Sequence, residues 1–303
     1  MSEIEFIMKN KVILFLTVIS GITLLLLVLL LITYFQGKAD LKEIKSQVEE
    51  INTIKQEQQD LSASLAMLYN ITNTVTEDIG IVAYWSFDKE TVEANTAKNL
   101  YGQGDAVMKN ATYAAEGKIN GGIMFNGENG YLQLPGRSID FNLTKGAIGF
   151  WLYPELEKAE QSFSGLIHYR KGNCCSDYFI VRLYKTQKGD YLSIIAEKND
   201  ISTLDIKMKA PTIKEEEWNY IIIQQSGNGI EIFVDGTKQD LIGTNSDEWI
   251  GLHYPATFDF TIGDTGTWTD NNIPAYLQGR IDELKMWSRS LTMPEIKKLM
   301  TLN

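Results

Sequence analysis

Residues 262–274, with the sequence IGDTGTWTDNNIP, concentrate side chains that could bind a ligand. Four of them carry oxygen atoms of the kind that a hard cation such as Ca²⁺ takes as ligands: Asp264, Asp270, Asn271 and Asn272. Trp268 has a large ring that could stack on a sugar. The segment predicts a metal site at Asp264 and Asp270, beside a ligand-binding surface at Trp268, Asn271 and Asn272. An ordinary long turn, in which Asp, Asn and Gly serve backbone geometry, fits the same residues.

Two other groups of residues are weaker candidates. Residues 247–255 combine Trp249, His253 and Tyr254 in a second candidate binding segment. The chain has two histidines, His168 and His253, and no H-E-x-x-H or G-x-S-x-G motif. We therefore expect both histidines to be ordinary strand or loop residues.

The sequence GRIDELKMW places two carboxylates, Asp282 and Glu283, next to each other. Successive residues of a strand point to opposite faces, so we expect Asp282 to share a face with Leu284 and Glu283 to lie on the other face. Glycoside hydrolysis needs two carboxyl groups that flank one bond. The sequence therefore predicts that the protein is not an enzyme.

The two cysteines of the chain, Cys174 and Cys175, are adjacent in RKGNCCSDY. Neighbouring residues can close only a small, strained ring, so a disulfide between them is uncommon. Free thiols and bridges between protomers are the alternatives. An even cysteine count outside the cell favours oxidation, and we therefore predict a disulfide at Cys174 and Cys175.

An apolar run of 24 residues, 12–35, follows an N-terminal flank at residues 1–11. As a helix it would be about 36 Å long, enough to cross a hydrocarbon layer of about 30 Å. The run is longer than the apolar part of a signal peptide, and no A-x-A-like cleavage site follows it. It therefore predicts an uncleaved transmembrane signal anchor. Lysines on both sides leave its orientation undecided.

Residues 36–78 are predicted to form a helical stalk. From 38 to 78 the sequence has no Gly or Pro and contains eight Asp and Glu against four Lys. A single heptad register gives ten seam positions, seven of them apolar, as a coiled coil requires: Ile44, Gln47, Ile51, Ile54, Gln58, Leu61, Leu65, Leu68, Thr72 and Val75. A lone amphipathic helix is the alternative, although its acidic face disfavours an anionic lipid surface. The stalk predicts a homo-oligomer.

The sequence of residues 278–303, QGRIDELKMWSRSLTMPEIKKLMTLN, predicts a strand, a turn and a helix. Leu284 and Met286 have the two-residue period of a half-buried strand. Thr292 and Glu295 form a T-x-x-E capping box at the start of the helix. Upstream, short runs rich in Val, Ile, Tyr, Phe and Trp recur between turns such as Asn228-Gly229. No helical pattern alternates with them, so antiparallel sheets packed face to face are expected.

This ending resembles the closing strand and terminal helix of the LamG-like jelly roll, in the concanavalin A-like lectin/glucanase superfamily. Four earlier segments resemble the same family in the right order: residues 81–90, 121–136, 147–155 and 218–239. The resemblance implies an all-β antiparallel jelly-roll sandwich over residues 79–303, with a short C-terminal helix. Proteins that the 262–274 segment resembles often hold calcium near such a loop and bind glycans beside it.

We therefore expect a membrane-anchored cell-surface recognition or adhesion protein that binds a glycan or a surface protein, with calcium as its candidate cofactor. It would cross the cell membrane once, and the resemblance implies that the C-terminal domain is extracellular. The alternative is a structural subunit of a surface filament or envelope assembly. The net charge of −11 and the lack of a basic cluster argue against nucleic acid as a partner.

Overall fold

The structure, a computed structural model, describes residues 41–135, 139, 144–155, 163–170, 177–186, 189–199, 201–250, 259–265 and 275–301. The chain divides into two compact units, Met1–Ile79 and Gly80–Asn303. The predicted flank at 1–11 and signal anchor at 12–35 lie outside the described residues. In the part of the chain that is described, no helix has both the length and the apolar character needed to cross a membrane.

The first unit contains helix α1, Leu41–Asp78, with 38 residues and a length of about 57 Å. The predicted helix is therefore present over these residues. Five seam side chains are described, four half-buried and the last 38% exposed: Gln47, Ile51, Ile54, Gln58 and Leu61. One helix is not a coiled coil, so pairing through this seam stays a prediction.

The second unit is a sandwich of two antiparallel sheets, as predicted. Sheet A has the order β15-β14-β13-β8-β18-β6-β5, and β1 also pairs with β18. Its strands are β1 (Ile81–Trp85), β5 (Thr112–Ile119), β6 (Gly121–Asn126), β8 (Gly146–Pro154), β13 (Asn219–Gln225), β14 (Ile230–Val234), β15 (Thr237–Lys238) and β18 (Gln278–Trp287).

Sheet B has the order β16-β12-β11-β10-β9-β17-β7-β4-β3-β2. Its strands are β2 (Val92–Glu93), β3 (Thr96–Ala97), β4 (Ala106–Lys109), β7 (Tyr131–Gln133), β9 (Phe163–Arg170), β10 (Asp177–Tyr184), β11 (Tyr191–Lys198), β12 (Ile201–Met208), β16 (Leu241–Thr244) and β17 (Asp259–Ile262). A short 3₁₀ turn, Lys89–Thr91, follows β1.

The main core lies between the inner faces of the two sheets. It buries large side chains from both, including Trp85 and Phe150 from sheet A and Phe179 from sheet B. Trp249 is fully buried in this core, where its ring meets Phe179 edge to face at 5.8 Å. The expectation that Trp249 belongs to a binding segment is therefore wrong, because its apolar ring contributes more as core. His253 and Tyr254 lie outside the described residues.

Strand β18 contains a β-bulge that changes the predicted direction of its carboxylates. Opposite β8, Asp282 pairs with Trp151 and Lys285 with Gly149, so β18 has one extra residue there. Glu283 takes up this residue with a φ of 54°. Ile281 and Leu284 both enter the core, which leaves Asp282 and Glu283 together on the outer face of sheet A. The expectation that they lie on opposite faces, with Leu284 beside Asp282, is wrong because alternation holds only without a bulge.

Both carboxylates are engaged within the fold. Asp282 is fully buried and accepts hydrogen bonds from the amides of Ile119 and Glu283, each at 2.8 Å. Glu283 accepts the hydroxyl of Tyr84 at 2.9 Å and pairs with the Lys285 ammonium at 3.0 Å. Burial above all, and then the charge of Glu283, raises the pKa of Asp282 to about 7. The pair therefore fixes β18 to β1 and β5.

Helix α2, Met293–Leu299, covers part of the outer face of sheet A. The predicted capping box is present, and the Glu295 carboxylate accepts the Thr292 amide at 2.7 Å. Ile296 and Leu299 belong to a second apolar cluster with residues of β8, β13, β14 and β18. Among the described residues, no helix or strand covers the outer face of sheet B.

Candidate functional site

The outer face of sheet B carries a polar and aromatic surface on β9, β10 and β11. Along β10, Phe179, Val181 and Leu183 enter the core, so the alternate residues Arg182 and Tyr184 lie on the outer face. The paired strands continue this surface on both sides. It therefore combines aromatic rings with a cation on one face of a rigid sheet.

Three aromatic side chains form a ladder at one end of this face. Tyr184 pairs with Phe163 on one neighbouring strand and with Tyr191 on the other. Ring centroids are 5.2 Å apart in both pairs, and the Tyr184 and Tyr191 rings are within 6° of parallel. All three side chains are only half-buried. This aromatic ladder, Phe163-Tyr184-Tyr191, offers apolar surface and two phenol groups to a ligand.

Arg182 lies beside the aromatic ladder. Its guanidinium carbon is 5.1 Å from the centroid of the Phe163 ring, a cation–π distance. Its Nε is buried and, among the described residues, has no hydrogen-bond partner. Such a group is costly to leave unsatisfied, so Arg182, which lies beside the aromatic ladder, is a candidate for direct contact with a ligand.

A second polar pair lies further along the same face. The hydroxyl of Tyr178 donates a hydrogen bond to the Glu197 carboxylate at 2.9 Å. Burial first, and then this bond, raises the pKa of Tyr178, whereas the charge of Arg182 acts in the opposite direction. Arg182 therefore lies close enough to influence the phenol electrostatically.

Asp264 lies at the base of the segment 266–274, which connects β17 towards β18. Its carboxylate accepts the hydroxyl of Thr261, and the residue is only 6% exposed. The segment's two ends are joined, because the Ala275 amide donates to the Thr265 hydroxyl at 2.9 Å. The Gly165 amide donates to the Ala275 carbonyl at 3.0 Å. This base lies against β9, next to Arg182.

The position of Gly165 allows this approach. A Cβ atom there would overlap the carbonyl group of Asp264 and the nitrogen of Thr265. Gly165 is also the cross-strand partner of Arg182. The predicted metal ligand Asp264 is therefore next to the arginine.

The remaining predicted site residues lie outside the described part of the chain: Trp268, Asp270, Asn271, Asn272, Cys174 and Cys175. Among the described residues, no group of three or more His, Cys, Asp and Glu side chains is placed to hold a metal ion. The calcium site and the disulfide stay predictions. His168 is a fully buried residue of β9.

Sequence reasoning did not identify Phe163, Arg182, Tyr184 or Tyr191 as site residues. The signal that could have found two of them is the turn at Gly189-Asp190, which lies inside the β10–β11 hairpin. Placing that hairpin in register puts Tyr184 opposite Tyr191. Phe163 lies on β9, so its contact with Arg182 requires that β9 is also paired with β10.

The end of this hairpin holds a buried carboxylate, Asp190. Its backbone pairs with Ile213, and the residue is fully buried. Burial first, and then the negative charge of Glu215, raises the pKa of Asp190 to about 6, against the opposing Thr186 amide and Lys185 ammonium. Lys185 is itself paired with Glu215 at 3.1 Å. Asp190 is therefore a titratable group at the edge of the site.

Two solved structures share this fold at low sequence identity. Trypanosoma rangeli sialidase in complex with sialic acid matches with a TM-score of 0.53 and 15% identity, over 73% of this chain and 32% of that chain. The binding domain of Botulinum neurotoxin DC, in complex with rat synaptotagmin II, matches with a TM-score of 0.50 and 13% identity, over 73% and 51% of the two chains. This chain thus spans about a third of the sialidase chain. These likenesses show the fold.

No curated protein matches the sequence. A family model does match: Laminin_G_3, of the concanavalin A-like lectin/glucanases superfamily, over residues 126–297. The match begins at the end of β6 and ends in α2, so it includes strands of both sheets, among them β9, β10 and β11. The chain belongs to the Laminin_G_3 family of the concanavalin A-like lectin/glucanases superfamily.

Proposed function

We propose that the protein is a membrane-anchored recognition protein of the cell surface, whose sandwich binds a glycan on the outer face of sheet B. The observation that carries this proposal is the aromatic ladder with Arg182 beside it. Flat apolar rings next to a polar group suit a sugar, which has one apolar face and a rim of hydroxyls. Rigid strands hold these side chains, which reduces the ordering cost of binding.

The base of the 266–274 segment supports the same location. Asp264 and Thr265, which precede that segment in the chain, lie on β9 at Gly165, next to Arg182. In this proposal Trp268, Asn271 and Asn272 contact the glycan, and Asp264 and Asp270 hold calcium that shapes the segment. Binding would then be assisted by calcium.

The proposed function is binding without hydrolysis. The bulge brings Asp282 and Glu283 to one face, but both carboxylates are buried and bonded to groups of the protein. Glycoside hydrolysis needs two carboxyl groups that reach the substrate. The glycan-binding face also lies on the other sheet.

The apolar run at 12–35 is proposed to anchor the protein in the cell membrane as a single pass, with the sandwich outside the cell. Helix α1 would join several copies of the chain. A glycan or a surface protein is the partner in this arrangement. If neither binds, a structural subunit of a surface assembly becomes the better explanation.

Replacing Tyr184 by alanine tests the glycan site. The change removes the central ring of the aromatic ladder, and we expect at least about tenfold weaker binding of any glycan selected on an array. Tyr101→Ala, away from sheet B's outer face, is the matched control. Calcium should raise the melting temperature in both variants, because a ligand of the folded state stabilises it. Equal binding by wild type and Tyr184→Ala would contradict this site.

The stalk proposal predicts that the full chain is oligomeric in detergent by light scattering. Each buried apolar seam residue contributes about 1.5 to 3 kcal/mol before entropy losses. Ile54→Asp combined with Leu61→Asp should therefore dissociate the oligomer. Gln56→Asp combined with Ala63→Asp adds the same charge on the opposite side of the helix and should leave the oligomer intact. A monomeric wild type would show that the helix acts alone.

A further inference from the structure

The outer face of sheet B contains a row of three polar side chains next to the aromatic ladder. Arg182 on β10 pairs with Ser193 on β11, and Ser193 pairs with Lys207 on β12. The residues flanking Lys207, Ile206 and Met208, enter the core, so Lys207 shares the outer face. We call Arg182-Ser193-Lys207 the cationic row. It places one cation on each side of a hydroxyl group.

Neither cation of this row has an acidic partner among the described residues. Within the described residues, Arg182 and Lys207 form no ion pair at 4 Å or less, whereas Arg280 pairs with Glu155 and Arg289 with Glu295. Lys207 is exposed, and Ser193 is 9% exposed between the two cations. The chain has a net charge of −11, and two neighbouring cations without acidic partners in its described part attract an anion locally.

Asp264 lies next to Arg182 across Gly165, and its carboxylate accepts the Thr261 hydroxyl. The acids on the neighbouring strands do not occupy this position either. Glu197 accepts the Tyr178 hydroxyl, and the exposed Asp205 lies on the next outward position of β12. Both lie on one side of the cationic row, and the aromatic ladder lies on the other. A ligand anion is therefore repelled from the Glu197 side and directed to Arg182 and Ser193, with its uncharged part over the rings.

We propose that the glycan bound by this face is acidic, with a carboxylate or sulfate group held by the cationic row and its ring packed on the aromatic ladder. This inference rests on the proposed glycan-binding function and specifies its ligand class. The Arg182 guanidinium presents paired donors to the anion. Ser193 donates one hydrogen bond, and Lys207 adds a second charge.

The test compares binding of the full chain to matched acidic and neutral carbohydrates by calorimetry. Oligogalacturonate and its methyl ester differ in the carboxylate charge and one methyl group per sugar, and dextran sulfate and dextran differ in sulfate. We expect one acidic member to bind at least tenfold more tightly than its neutral counterpart. The carboxylate and sulfate pairs distinguish the two sources of charge.

Three variants test which residues cause the preference for acidic carbohydrates. Arg182→Gln should abolish the acidic preference, and Lys207→Gln should reduce it about threefold and weaken its dependence on salt. Lys109→Gln removes a charge from β4 on the same sheet and should change neither. If Arg182→Gln unfolds early in a melting experiment, the exposed Lys207→Gln decides by its salt dependence.

Two other results would overturn the proposal. Equal binding of acidic and neutral partners, or an acidic preference that survives Arg182→Gln and Lys207→Gln, rejects the acidic class and leaves glycan binding in place. If none of the four carbohydrates binds and an array yields no glycan, the proposed function itself fails. The two failures are therefore distinguishable.

Discussion

Replacing Gly165 by alanine is expected to abolish glycan binding and to lower the free energy of unfolding by about 1 to 3 kcal/mol or more. The new methyl group would occupy the position of the Asp264 carbonyl and the Thr265 nitrogen. These are backbone atoms, which cannot move aside as a flexible side chain can. The base of the 266–274 segment must therefore leave β9. Calorimetry for binding and urea unfolding for stability measure the two effects.

Gly149→Ala is the matched control. A Cβ there meets only side-chain atoms, the nearest being the Tyr220 hydroxyl at 3.1 Å. Gly149 lies on β8 in sheet A, so this variant should lose less stability than Gly165→Ala and retain binding, although the buried Tyr220 and Trp287 rings must move slightly. Unchanged stability and binding in Gly165→Ala would show that the 263–265 backbone does not rest on β9.

Raising the pH from 5 to 8 is expected to lower the free energy of unfolding by about 4 kcal/mol through Asp282 and Asp190. Burial raises the pKa of Asp282 to about 7 and that of Asp190 to about 6, from an ordinary value of 3.8. The folded state thus keeps these protons at pH 5, where the unfolded chain has lost them. Stability therefore falls as the pH rises through the folded pKa values. Urea unfolding at several pH values measures the slope.

Two isosteric variants show how much each carboxylate contributes to the pH dependence of the free energy of unfolding. Asp190→Asn should be more stable than wild type at pH 8 by about 2 kcal/mol and lose this advantage near pH 4. Asp282→Asn should flatten the slope between pH 6 and 8, whatever its absolute stability. Slopes identical to wild type in both variants would mean that these carboxylates titrate normally.

The sandwich was predictable because its signals are local. Alternation along β18 places Leu284 and Met286 in the core, and Thr292 with Glu295 marks the start of α2. Each of these features depends on residues within a few positions of one another. Turn pairs such as Asn228-Gly229 similarly fix single hairpins.

The direction of Asp282 and Glu283 could not be predicted in the same way. Their common face depends on one extra residue relative to β8, a strand more than a hundred positions earlier. Sequence alternation contains no information on that pairing. The prediction for Trp249 was wrong for a related reason. An aromatic ring suits a binding loop and a core equally well, and only its packing against Phe179 shows that it belongs to the core.

The candidate site was only partly predictable. The sequence singled out Asp264 because it lies in a segment rich in oxygen ligands, and its role as a metal ligand stays a prediction. The aromatic ladder and the cationic row each combine three strands, so their members are neighbours only after the register of sheet B is known. A lone arginine in YFIVRLY looks like an ordinary outward strand residue, and its lack of a partner emerges only from the fold.

The place of β18 in sheet A governs when the domain can fold during synthesis. This strand pairs with β8, β6 and β1, and the bond between Tyr84 and Glu283 joins positions 199 residues apart. Closing so large a loop is entropically costly and slows folding. Until the ribosome has released β18, the edges of β8 and β6 stay open to wrong pairing. The nascent sandwich thus needs protection until its last strand is made.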